Sequence, residues 1–173
     1  GIDQLREMAP LYDFKVTEIS AKDIDDVNVS STKVRMALDQ GDIDLATSFL
    51  GYQYSCEGEV IHGKKRGKGI GFPTANLSNF DDTKLIPCNG VYAVEVKLNG
   101  VRYKAMMNIG HNPTFEGDAA KTIEIHIFDF SGDIYGQQIR VFVLKYLRAE
   151  RRFSDVSELI SQMEVDKIHA LDA

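Results

Sequence analysis

Between His62 and Leu77 the chain reads H-G-K-K-R-G-K-G-I-G-F-P-T-A-N-L. Gly63, Gly67, Gly69 and Gly71 punctuate a run that carries Lys64, Lys65, Arg66 and Lys68. Glycines let a backbone turn tightly and bring bare N–H groups close to an anion. Cations gathered in one loop of a chain with formal net charge −6 point to a compact negative ligand, for which phosphate is the natural candidate. The run is not a P-loop, because Gly69 follows Lys68 where that motif needs Ser or Thr. Nor is it a dinucleotide fingerprint, since Gly67-Lys68-Gly69-Ile70-Gly71 misses G-x-G-x-x-G by one residue. Taken alone, it also reads as a solvated glycine-rich surface loop. Pro73 then stiffens the chain and biases Phe72 to an extended form. Residues two apart in an extended chain point the same way, so the Thr74 hydroxyl and the Asn76 carbonyl present two neutral oxygens to one point. Beside nucleotide phosphates, such a pair suits Mg²⁺.

A carboxylate fit for base chemistry stands in Ile123-Glu124-Ile125-His126-Ile127-Phe128. Strand alternation sends the three isoleucines one way and Glu124, His126 and Phe128 the other. Phosphorylating an alcohol asks for a base at the hydroxyl, a metal on the phosphates and in-line placement, and Glu124 can be that base. A lone strand glutamate reads equally as a solvent-facing residue; the phosphate loop and the oxygen pair in the same domain tip the choice. His126 either orients Glu124 or solvates the face. His62, His111, His126 and His169 are scattered, which argues against a histidine metal site. Cys56 and Cys88 form no C-x-x-C or zinc pattern and read as reduced thiols of a cytoplasmic protein. No apolar run approaches the ~18 residues of a membrane span, and the N-terminus carries no basic-then-apolar signal.

The elements that must position these residues differ along the 173-residue chain, of which 43% is hydrophobic. Residues 1–51 read as mostly helical. A helix ends over Leu5–Met8, and Phe14–Ile19 alternates like a short strand. Ser30, Ser31 and Thr32 can cap a helix that Gly41 closes, and Asp42 can cap a second from Ile43 to Leu50, ended by Gly51. From Tyr52 onward the pattern is mainly β. Tyr54–Ile61 is a strand, and Val91–Leu98 and Val101–Ile109 flank Asn99-Gly100, a type I′ hairpin signal. That turn pairs Leu98 with Val101 and Glu95 with Lys104. Asn108–Lys121 reads as a long loop, Ile123–Phe130 and Ile139–Leu147 as strands, and Phe142, Leu144 and Tyr146 share one face. Ser154 caps a final helix with Val156, Leu159, Ile160 and Met163 at helical spacing, read as a lid on the β domain or, alternatively, as an interaction helix.

G-x-x-x-G-x-x-x-G-F-P-T-A-N-L, followed by Asn108-Ile109-Gly110-x-x-Pro113-Thr114-Phe115 and Glu124-Ile125-His126, resembles riboflavin kinase. The closest likeness is to the C-terminal kinase half of bacterial bifunctional FAD synthetases. The resemblance covers residues 52–173 and implies a small antiparallel Greek-key β-barrel with a C-terminal lid helix. It also implies ATP- and Mg²⁺-dependent phosphorylation of the riboflavin 5′-hydroxyl to FMN. ATP would lie over Gly63, Gly67, Lys68, Gly69, Gly71, Thr74 and Asn76, Mg²⁺ on Thr74 and Asn76, and Glu124 would be the base. Leu147-Arg148-Ala149-Glu150-Arg151-Arg152-Phe153 resembles the stretch that closes over the flavin, which would use Phe115, Arg148 and Glu150. As a bare pattern that stretch is also a solvated turn anchored by Phe153. Val29-Ser30-Ser31-Thr32-Lys33-Val34-Arg35 resembles a motif of the FMN adenylyltransferase half, so residues 1–51 are read as the remnant of that domain, without FAD synthesis. Ordinary helix capping accounts for the same residues. The other function classes are a flavin-binding module without catalysis and a nucleic-acid-binding barrel; net charge −6 and a single basic loop count against the second. No membrane or nucleic-acid partner is expected.

Overall fold

A computed structural model describes residues 2–12, 31–62, 68–78, 85–112 and 120–173. The chain divides into two compact units, residues 1–33 and 34–173. In the first, helix α1 spans Ile2–Tyr12 and so continues past Met8. The strand read over Phe14–Ile19 and the capping residue Ser30 lie outside the described residues.

Helix α2 covers residues 31–39, and α3 follows as Ile43–Leu50. Asp42 caps α3 by accepting from the Leu45 N–H at 3.1 Å, and Gly51 closes it at φ +78°. Helices this short are marginal alone and must bury their apolar face elsewhere. Val34, Ala37, Leu38, Ile43 and Ala46 accordingly join the buried cluster that holds Tyr92, Val94 and Val141. The packing unit therefore starts at Val34, ahead of the point where the β pattern begins.

Six strands close a barrel in the order β1-β2-β5-β4-β3-β6, with β1 Ser55–Ile61, β2 Ala75–Ser78, β3 Gly90–Leu98, β4 Val101–Asn112, β5 Ala120–Ile127 and β6 Gln138–Arg148. Every pairing is antiparallel. The β3-β4-β5 meander is flanked by β2 on one side and β6 on the other, which makes two overlapping Greek keys. Asn99 at φ +48° and Gly100 at φ +80° form the left-handed pair a type I′ turn demands. The register is the one that turn predicts, Leu98 on Val101 and Glu95 on Lys104.

Three expectations yield to tertiary contacts. Glu95 pairs with Arg102 at 3.2 Å, whereas the Lys104 ammonium donates to the carbonyls of Leu171 and Ala173, at 2.9 Å each. Register sets where a side chain starts; a long ammonium then reaches the unpaired carbonyls of a helix C-terminus. Within the loop read over Asn108–Lys121, every described residue belongs to the ladder, and Gly110, His111 and Asn112 pair with Thr122, Lys121 and Ala120. Residues 113–119 lie outside the described residues. In β6, Leu144 and Leu147 fall where the register with β3 shifts, and each is the extra residue of a bulge. Phe142 thus faces outward under the Arg102 guanidinium, while Tyr146 turns in, edge-on to Tyr92 at 5.3 Å. A bulge flips the faces beyond it, so simple alternation could not hold Phe142, Leu144 and Tyr146 together.

Helix α4, Val156–Asp172, is capped by Asp155, whose side chain accepts from the Glu158 N–H at 2.8 Å. Ser154 is one position too early; its hydroxyl donates to the Glu158 carboxylate at 2.6 Å instead. Ile160, Met163 and Ala170 pack on Phe72, Ala93, Met106 and Phe128, whereas Val156, expected on the packed face, is exposed. The helix covers the outer face of β3 and β4, so Val91 and Ala93 are buried on the side that alternation marks as outward.

Candidate active site

One row of outward-facing residues crosses the barrel wall. Asn76, Glu124, Asn108, Val91 and Arg148 are successive register partners on β2, β5, β4, β3 and β6. Directly opposed Cβ atoms stand about 4.5–5.5 Å apart, so Glu124 is held between two carboxamides. The alternate residues Ile123 and Ile125 are fully buried inside the barrel, which fixes Glu124 on the outer face. Between this row and α4 lies a cleft of about 240 Å³ whose lining includes Thr74, Asn108, Glu124, Arg148, Glu150 and Phe153. Four residues read as functional from the sequence, Thr74, Glu124, Arg148 and Glu150, therefore share one cavity. Asn76 is not in its wall and reaches the site only as the neighbour of Glu124.

The segment before β2 is held from β5. Phe72 is buried edge-on against His126 at 5.3 Å, and the His126 Nδ1–H donates to the Pro73 carbonyl at 2.6 Å. Burial pushes the His126 pKa below its ordinary value, which keeps the ring neutral. His126 is thus buried rather than solvating the face, and it makes no hydrogen bond to Glu124, with which it lines the cleft; it fastens Pro73, and with it Thr74, to the strand that carries Glu124. Ala75 pairs inward with Ile125, so Thr74 and Asn76 both face out, as an extended chain requires. Among the described residues, the side chains of Thr74, Asn76, Glu124 and Asn108 make no hydrogen bond to protein.

Thr74 also lines a second pocket of about 110 Å³ with Pro73, Ile125, Ile127, Phe130 and Tyr135. It thus stands on the boundary between two cavities. Among the described residues there is no cluster of three or more His, Cys, Asp or Glu that could hold a metal. A cation here would take neutral oxygens from Thr74 and Asn76 and the rest from a bound phosphate and water, a donor set that fits Mg²⁺. Of the glycine loop, Gly69 lies in a 3₁₀ turn, Lys68–Ile70, and Gly71 follows at φ +86°. Gly63 and Gly67, the Lys68 side chain and Phe115 lie outside the described residues.

At the far end of the row the sequence reading is incomplete. Arg148 is no free cation, since Asp166 on α4 accepts from its Nε–H at 2.8 Å and its Nη2–H at 2.7 Å. The Glu150 carboxyl lies against Gly110, where any Cβ would displace it. Gly110, third from the end of β4, thereby leaves room for that carboxyl. Met106, Met163, Leu159 and Phe153 supply apolar lining. Helical spacing marked Met163 and Leu159 as core, but nothing local marked Asp166, whose partner is 18 residues away.

Residues 50–173 match the Flavokinase family, described as riboflavin kinase. The bifunctional riboflavin kinase/FMN adenylyltransferase of Listeria monocytogenes is 40% identical over 96% of this chain and 54% of its own length. The Bacillus subtilis protein of the same name is 43% identical over 84% of this chain and 46% of its own. The chain thus spans about half the length of the curated relatives it matches. A crystal structure described as a macrolide-efflux protein from Streptococcus pneumoniae superposes with a TM-score of 0.78 at 37% identity, covering 83% of this chain and 46% of that one. Among the described residues, no helix is long and apolar enough to cross a membrane. With the family match covering the whole barrel and α4, the chain belongs to the riboflavin kinase family.

Proposed function

We propose that this chain transfers the γ-phosphate of ATP to the 5′-hydroxyl of riboflavin, giving FMN and ADP. The observation that carries the reading is the row in which Glu124 stands between Asn76 and Asn108, with Arg148 at its far end and Thr74 nearby between two cavities. The larger cleft takes the flavin, with the ring between the apolar side chains of Met106 and Met163 and the Arg148–Glu150 end. The ribityl chain then runs along the row and brings its terminal hydroxyl to Glu124. Glu124 accepts that proton as the oxygen forms its bond to the γ-phosphorus and the bond to ADP breaks. The nucleotide approaches from the side of Thr74, with Gly63, Gly67, Lys68, Gly69 and Gly71 over the phosphates. Thr74 and Asn76 would hold Mg²⁺, which would supply charge neutralisation for the transferred phosphoryl group. Asn108, flanking Glu124 on the other side, offers a donor and an acceptor to the ribityl hydroxyls.

Residues 1–51 represent the end of an adenylyltransferase domain and 52–173 the kinase domain, in a cytoplasmic enzyme whose full length includes both activities. The test is product analysis after incubation with riboflavin, ATP and Mg²⁺, separating riboflavin, FMN and FAD. FMN without FAD is the expected result. Neither product, with riboflavin still bound, would leave a flavin-binding module without catalysis.

A further inference from the structure

The pair between Arg148 and Asp166 is the most thoroughly buried charge contact that the cleft possesses. Asp166 is 2% exposed, and its Oδ1 also accepts from the Gln162 Nε2 at 2.9 Å. The Arg148 Nη1 donates to the Ala149 carbonyl at 3.0 Å, so the guanidinium is held on three sides. A buried carboxylate is a poor way to dock a helix, because an apolar residue of similar size would pack with no desolvation penalty. Helix α4 already has Ile160, Met163 and Ala170 for docking. What the ion pair adds is geometry and charge. It fixes the plane of a guanidinium in the wall of the cleft, and it cancels a positive charge where an uncharged ring has to lie.

We infer that Asp166 is a positioning residue for the flavin, acting through Arg148 and coupling the lid helix to the row that carries Glu124. The inference rests on the proposal that this cleft takes riboflavin. It is tested with Arg148→Ala, Asp166→Asn and the double variant, reading riboflavin Kd by quenching of flavin fluorescence and the KM for ATP in parallel. Each single change is expected to weaken riboflavin by about tenfold, with the double variant no weaker than Arg148→Ala and the KM for ATP unmoved. If Arg148→Ala binds riboflavin normally, the placement of the flavin at this residue is what fails. If Arg148→Ala is weak but Asp166→Asn is normal, only the inference fails. An Asp166→Asn loss that persists without Arg148, or that affects both substrates alike, would mark Asp166 as merely structural and overturn it. Should Asp166→Asn not fold, Asp166→Glu decides, because it keeps the charge and displaces the carboxylate from the fork. Riboflavin binding weakened in Asp166→Glu with the KM for ATP unmoved supports positioning by Asp166, and wild-type binding refutes it.

Discussion

Replacing Glu124 by Gln isolates the chemistry of the site from its architecture. The side chain keeps its size and its place between Asn76 and Asn108. No protein group is left without a partner, because among the described residues Glu124 makes no hydrogen bond to protein. Folding stability should therefore stay within about 0.5 kcal/mol of wild type, and riboflavin should bind nearly as before. Only the capacity to accept a proton is lost. General base catalysis is worth roughly 10²–10⁴ in rate. At about 1.36 kcal/mol per factor of ten, that raises the barrier by about 3–5 kcal/mol. Initial rates of FMN formation at saturating ATP, with melting temperature and riboflavin Kd measured on the same preparation, separate the terms. A large fall in kcat at constant Kd and Tm is the expected outcome. A wild-type kcat would remove Glu124 from the mechanism; a parallel loss of Tm would show that the carboxylate supports the fold.

Asn76→Asp sets a second carboxylate directly opposite Glu124, and should lower activity and shift the Mg²⁺ and Mn²⁺ dependence of turnover; identical metal titrations would argue against a ligand role. Gly90→Ala should cost about 1–3 kcal/mol in denaturant unfolding, because a Cβ there would lie 2.5 Å from the Tyr146 ring and 2.8 Å from the Arg148 carbonyl at φ +154°. His126 titrates below its ordinary value in the fold because it is buried, so the unfolded chain binds more protons just below about pH 6.5. Its contribution to stability is therefore complete above that pH and lost as pH falls toward the folded pKa. Melting temperatures across this range should drop less steeply for His126→Gln than for wild type. Glu158 is held below the carboxylate range, first by the Ser154 hydroxyl, so any loss from that group comes at lower pH and does not overlap.

Much of the fold was legible because local rules happen to agree with the tertiary result. Asn99-Gly100 dictates a turn whose twist matches the strands, and one turn sets the whole β3–β4 register. Asp42 and Gly51 bound α3 because capping is satisfied within a few residues. Alternation around Ile123 and Ile125 placed Glu124 outside, and the proline-stiffened segment turned Thr74 and Asn76 the same way. These are short-range consequences of backbone geometry.

Where side chains end up depended on elements distant in sequence. The faces of β6 invert at two bulges that its own pattern does not announce. The outward side of β3 is buried only because α4 lies on it. Lys104 leaves its cross-strand partner for the C-terminus of that helix, and His126 stays in the wall of the cleft but spends its Nδ1 on the Pro73 carbonyl. Asp166 had no local signature at all, being one more acidic residue on a mixed helix until the fold sets it against Arg148. By itself, then, the sequence determined the residue types, the strand and turn pattern and the outward direction of Glu124. The assembly of Thr74, Glu124, Arg148 and Glu150 around one cleft was decided by barrel closure and helix docking, since hydrophobic burial and long-range pairing alone bring such distant side chains together.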